Sequence, residues 1–214
     1  MPDQLGLRDR KKLQTRQRIA DVAAVLIAER GYDAVSMVDV ARAAEVSDQT
    51  VYNYFAAKQE LVLDMAEQIR GWYDQAIRGR SEDVTPAEAL APLLLADIDR
   101  YRHSDLTQAR GEFMAQSVTS ATLRRFTLEE RERQTLTIAA AVRDTAPGLP
   151  AVVAHTHAAA LVAAIAHVHD LIGHSVLDRA PQDMAAERIR AVARIALTDL
   201  SRAFAGRGSA PTPH

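Results

Sequence analysis

The sequence contains no cysteine, which excludes disulfide scaffolds, zinc fingers, iron–sulfur clusters and thiol nucleophiles together. Glycine (9) and proline (8) are sparse, and aromatic residues make up 5% of the 214 positions, so collagen-like, mucin-like and low-complexity classes fall away as well. Neither sign of charge dominates, with a formal net charge of −2; nucleic-acid binding, if present, must come from local charge. No apolar run follows the basic opening MPDQLGLRDRKKLQTR to make a secretory signal, and the chain reads as cytoplasmic. A P-loop, a glycine-rich dinucleotide turn and a nucleophile elbow are all missing. No enzyme activity is expected, and nothing calls for a cofactor.

What is present is 48% hydrophobic against 25% charged residues, enough to bury a core in one large or two small domains. Residues 145–169 carry no Asp, Glu, Lys or Arg and are long enough to span a bilayer. Pro147, Gly148 and Pro150 break the start of that stretch, His155, His157, His167 and His169 interrupt it, and most of its apolar residues are alanine, which drives insertion weakly. It reads as a buried helix of a soluble protein, with no membrane partner.

Apolar positions recur at helical spacing nearly throughout and never alternate with period two for long, so the fold class is all-α. Helices are expected at about 12–30, 36–43, 47–54, 57–78, 86–102, 105–118, 120–144, 150–174 and 182–205. Ser36–Asp39 and Thr127–Glu130 look like capping boxes, and Thr85-Pro86-Ala87-Glu88 adds a proline at the first helical position. Gly31 suits a left-handed helix end. The expected organisation is an N-terminal helical domain over 1–60 that opens on a basic arm, a larger helical domain over 61–205, and a frayed tail over 206–214.

The informative stretch runs from Thr15 to Leu61. Ile19, Val22, Ala23, Leu26 and Ile27 make one apolar stripe, Val38, Val40, Ala41 and Ala44 a second, and Val51, Tyr52 or Tyr54, and Phe55 a third. Two short helices joined by a tight turn and braced by a longer one form a helix-turn-helix, whose second helix can enter the DNA major groove. Ser36 and Ser47 can cap their helices, and the free N–H groups there can meet a phosphate. Gln49 offers a paired donor and acceptor suited to adenine, and the Thr50 methyl or hydroxyl can meet a base edge. Tyr52, Asn53 and Tyr54 carry hydrogen-bonding tips, and Lys58 can neutralise a phosphate; core packing with a polar tip competes for one of the two tyrosines. Within residues 1–20 six basic side chains, including Arg8, Lys11 and Arg16, face two acids, so this arm can follow a phosphate backbone or remain a solvated tail.

The order E-R-G-Y-D-A, D-V-A-R-A-A-E-V-S, T-V-Y-N-Y-F and K-x-E-L across residues 15–61 closely resembles the tetracycline-repressor (TetR) family of bacterial transcription regulators. The rest of the chain is similar to that family only in architecture. The resemblance implies a homodimeric regulator, usually a repressor, that binds a near-palindromic double-stranded DNA operator and is released by a small-molecule effector. It also implies Tyr54 and Lys58 as backbone clamps and Gln49, Thr50 and Asn53 as base readers. Two departures stand out: Glu45 occupies the turn where glycine is frequent, and Asp48 opens the recognition helix, where it suits the dipole but repels phosphates.

For the effector, the resemblance points to the middle of the chain, where Trp72, Tyr73, Tyr101, Phe113, Met114 and Phe126, with Ser117 and Gln116 as polar orienters, are candidate lining residues. The last two long helices can form a four-helix bundle with a second subunit, through Val168, Leu171, Ile172, Ile189, Val192, Ala193, Ala196, Leu197 and Leu200, with an ordinary intrachain core as the competing reading. The histidines around 155–174 lack the i, i+4 spacing of a metal pair, and His103, Ser104 and Asp105 serve a helix start better than a triad. Two other classes stay open: a helical ligand-binding or oligomerisation protein whose helix-turn-helix is only structural, and a small all-α enzyme.

Overall fold

The computed structural model describes residues 6–63, 65–110 and 112–205, so the expected tail at 206–214 lies outside the described residues. Among the described residues there are ten α-helices and no strand. The first three build a small head. Helix α1 (Leu7–Arg30) buries Ile19, Ala23, Leu26 and Ile27. It stops where the Gly31 N–H donates to the Ile27 carbonyl at 2.8 Å with φ of 82°, a backbone angle that costs glycine little. Helix α2 (Met37–Ala43) starts from a complete capping box: Asp39 N–H donates to Ser36 Oγ at 3.1 Å and Ser36 N–H to Asp39 Oδ2 at 2.9 Å. Glu45 takes φ of 54° in the tight turn that follows, at a cost of about 1 kcal/mol. Helix α3 (Asp48–Tyr54) then crosses α2, with Val51 and Phe55 fully buried.

The larger unit contains α4 (Ala66–Arg78), α5 (Pro86–His103), two short helices α6 (Leu106–Ala109) and α7 (Phe113–Ser117), and the long α8 (Ala121–Thr145), α9 (Ala151–Leu177) and α10 (Gln182–Ala205). Helix α9 is central, packed between α8 and α10 and crossed by α7, while α10 also lies along α5 and α4 along α8. It is the one helix among the described residues long and apolar enough to cross a membrane, and Ala158, Leu161, Ile165 and Val168 on it are buried against neighbouring helices. At Gly173 the α7 backbone approaches so closely that a Cβ there would stand 2.1 Å from the Met114 carbonyl oxygen.

Several boundaries differ from the sequence expectation. The helix expected over 57–78 is broken, because residues 58–61 form a 3₁₀ turn and α4 begins at Ala66. Leu61 belongs to the head core and Tyr73 and Ile77 to the other core, and the chain bends where its apolar face changes partner. The segment 105–118 divides into α6 and α7. Thr127–Glu130 is not a helix start: Ser120 caps α8, accepting from the Leu123 N–H at 3.0 Å. Thr127 instead bonds back to the Leu123 carbonyl at 3.0 Å, and the buried Glu130 accepts from Arg70 at 2.6 Å. The basic residues 8–12 are the first turns of α1 and not a separate arm.

The residues expected at a subunit interface are mostly taken by the chain itself. Val168, Ile172, Ile189, Ala193 and Leu197 are buried in the intrachain core, and Leu171 and Leu200 are packed against it. Ala196 is half-buried, and Val192 alone of the set is exposed. The strongest apolar stripe of a helix seeks the nearest partner, which is α5 and α9 for α10 and α8 and α10 for α9. The face left outward is a different one, with Val152, Ala159 and Ala163 on α9 and Met184, Ala191 and Ile195 on α10.

Candidate nucleic-acid interface

Helix α3 is held from beneath and open above. Val51 and Phe55 anchor it in the head core, while Asp48, Gln49, Tyr52 and Asn53 are exposed and Thr50 and Tyr54 are half-buried. Ser47 caps the helix, accepting from the Thr50 N–H at 3.1 Å, and the two hydroxyls lie 2.8 Å apart. The Thr50 hydroxyl is thus engaged locally, and its methyl is the group free to meet a base. Gln49 Nε2 donates to Asn53 Oδ1 at 3.0 Å, which orients the two amides as one unit and leaves the Gln49 carbonyl oxygen and the Asn53 amino group for other partners. Exposed Ser36 opens α2 on the same head.

Two basic residues pack against the head itself. Arg16, expected along a phosphate backbone, donates to the Tyr54 carbonyl and lies 4.3 Å over the Phe55 ring; it ties the end of α3 to α1. Lys58 is on the 3₁₀ turn, with its Nζ 4.2 Å above the Tyr32 ring and 3.4 Å from the Asp33 carbonyl oxygen. Burial is the main influence on that amine and lowers its pKa, against the opposing pull of Asp33. Burial, reinforced by the Asp33 charge, pushes the Tyr32 phenol up to about 12, so it is neutral at physiological pH.

The Tyr32–Asp33 turn is held in its own right by the larger unit. The Tyr32 N–H donates to Gln116 Oε1 at 2.8 Å, and Ser120 Oγ donates to Asp33 Oδ1 at 3.0 Å. Sequence reading missed Arg16 and Ser120 in these roles and placed Gln116 in a pocket. No local pattern signals them, since 84 positions separate Tyr32 from Gln116.

The candidate effector residues lie in different surroundings. Trp72 borders an open groove of about 360 Å³ with Gln75, Ala76 and Leu93, between α4 and α5. Tyr101 and Met114 border a second space of about 20 Å³ that also touches Asp97, Arg100 and Ile172, room for a water or so. Tyr73 is buried in the core, Phe113 packs on the head, and Ser117 donates to the Met114 carbonyl at 3.1 Å. Phe126 is half-buried on α8.

His169 Nε2 lies 2.9 Å from Asp97 Oδ2. Burial alone would raise the Asp97 carboxyl, but His169 and Arg100 together hold it below the ordinary range. His157 packs on Phe204 with ring centres 4.7 Å apart, whereas His155, His167 and His174 are exposed.

Residues 19–65 match the family model of bacterial regulatory proteins of the tetR family. The HTH-type transcriptional regulator TcmR of Streptomyces glaucescens is 29% identical over 110 residues, covering 51% of this chain and 49% of TcmR. The chain therefore spans about half the length of that relative. Among solved structures, NalD of Pseudomonas aeruginosa, the secondary repressor of the MexAB-OprM multidrug efflux pump, shares the fold. Its TM-score is 0.57 at 20% identity, covering 87% of this chain and 97% of NalD. A SmeT–triclosan complex superposes with a TM-score of 0.58 at 17% identity, covering 89% and 91% of the two chains.

Proposed function

We propose that the chain, whose residues 19–65 match the model of bacterial regulatory proteins of the tetR family, is a cytoplasmic repressor of that family. On this reading it binds a near-palindromic DNA operator as a homodimer and is released by a small-molecule effector. The observation that carries this reading is α3 itself, anchored on one side by Val51 and presenting Gln49, Tyr52 and Asn53 on the other. A short helix held in this way is the part of a helix-turn-helix that reads base edges. Gln49 and Asn53 are the proposed readers, with the Thr50 methyl beside them; Ser36, Ser47, Tyr52, Tyr54 and Lys58 are the proposed phosphate contacts. The reading head is proposed to run from residue 6 through Leu61 and the effector and dimer unit from Ala66 to Ala205, joined where Leu123 of α8 enters the head core.

A second copy is proposed to cover the outward face of α9 and α10, including Ile195, which is 72% exposed. The groove beside Trp72 is the proposed entry for an apolar or aromatic effector, a reading supported by the triclosan complex of the SmeT neighbour.

The test is a selection of bound duplexes from a random pool, run with wild type and with Gln49→Ala. Wild type is expected to return an inverted repeat. Gln49→Ala is expected to relax one position in each half-site, at a cost of about 1–3 kcal/mol against the preferred base. An unchanged consensus would remove Gln49 from the set of readers.

A further inference from the structure

The exposed reading face of α3 is not the only part of the head with defined geometry. The turn after α1 is gripped from outside the head. Gln116, itself buried, uses both ends of its amide: Oε1 accepts from the Tyr32 N–H at 2.8 Å and Nε2 donates to the Arg110 carbonyl. Ser120 grips the next residue, donating to Asp33 Oδ1 at 3.0 Å while it accepts the α8 cap bond from Leu123. The same two head residues seat Lys58, through the Tyr32 ring and the Asp33 carbonyl. Behind Gln116, α7 is pressed onto α9 at Gly173, and the Arg110 guanidinium reaches the Leu177 carbonyl at the end of α9 at 3.3 Å.

We propose that Gln116 and Ser120 are positioning residues for DNA binding: by fixing the Tyr32–Asp33 turn they set the seat of Lys58 and hence its contact with a backbone phosphate. This inference rests on the reading of the head as a DNA-binding unit and of Lys58 as a phosphate contact. The physical basis is that a lysine packed on an aromatic ring and a carbonyl is limited to a small set of positions, and that set moves with the turn. A buried amide that satisfies one backbone donor and one backbone acceptor resists displacement, because losing it leaves both groups unpaired in a dry site. Since α7 also touches α9, any rearrangement of the larger unit that shifts α7 reaches Lys58 by this route, without passing through α4.

The salt dependence of operator binding separates positioning from mere structural support. Each phosphate neutralised contributes about 0.9 to the slope of log affinity against log salt. Gln116→Met keeps the length of the side chain and loses both amide bonds. It is expected to lower that slope by about 0.9, as Lys58→Ala does, and to weaken a selected operator about three- to tenfold. The double variant is expected to match Lys58→Ala alone, since coupled residues do not add. Amide exchange at Tyr32 is expected to accelerate in Gln116→Met. Ser120→Asp retains a helix cap but replaces the donor facing Asp33 by a like charge; it should move the slope in the same direction and serves where Gln116→Met folds poorly. Wild-type operator binding with an unchanged slope in both variants overturns this inference alone. Failure of the wild type to bind any selected duplex overturns the functional reading and this inference with it.

Discussion

Gly173→Ala is expected to destabilise the protein by about 3 kcal/mol, the upper part of the usual range for forcing an atom into a packed site. The new Cβ would stand 2.1 Å from the Met114 carbonyl oxygen and 2.8 Å from its carbon. Both are backbone atoms, so no side-chain rotation relieves the contact and α7 must lift from α9. Gly71 on α4 is the internal control, because nothing lies within 4 Å of a Cβ there. Gly71→Ala removes a flexible residue from a helix interior and is expected to stabilise by about 0.5–1 kcal/mol. Urea unfolding of the pair measures both effects. A Gly173→Ala variant as stable as wild type would mean that the α7–α9 approach is wrong.

Ile195→Asp is expected to convert a dimer into a folded monomer. The side chain is 72% exposed on the single chain, so the substitution removes nothing from the intrachain core. At a covered interface it would bury an unpaired carboxylate, at a cost of several kcal/mol for each subunit. Sedimentation at micromolar concentration should show wild type as a dimer and the variant as a monomer of unchanged helix content. Leu197→Asp, two positions on but facing the core, should instead unfold the chain. Operator affinity should fall with the dimer, because one head reads one half-site. A wild-type monomer in the same experiment contradicts the assembly.

These two sites also show where sequence reading succeeds and where it stops. The helix-turn-helix was legible because its determinants are local: Ser36 with Asp39, Ser47 with Thr50, and Gly31 at the end of α1. The all-α class followed from periodicity along nearly the whole chain. Periodicity also finds a helix's strongest apolar stripe but not its partner, which is why Ile189, Ala193 and Leu197 were expected at a second subunit and are covered by the chain's own α5 and α9. The break between Leu61 and Ala66 was hidden for a related reason: the apolar spacing continues while the core being filled changes. Lys58 was identified as a basic residue shortly after α3. Its seat was not, since that depends on Tyr32 and Asp33 and, behind them, on Gln116 and Ser120, 84 and 87 positions from the residues they hold.

Operator binding compared with binding to a scrambled duplex of equal length, measured across a salt series, tests the central claim most directly. A sequence-reading dimer is expected to prefer the selected duplex by about 10³-fold or more at physiological salt. Affinity for both duplexes should decline as salt rises, because phosphate contacts release counterions whatever the sequence. Equal affinity for the two duplexes would contradict the assignment of α3 as a recognition helix.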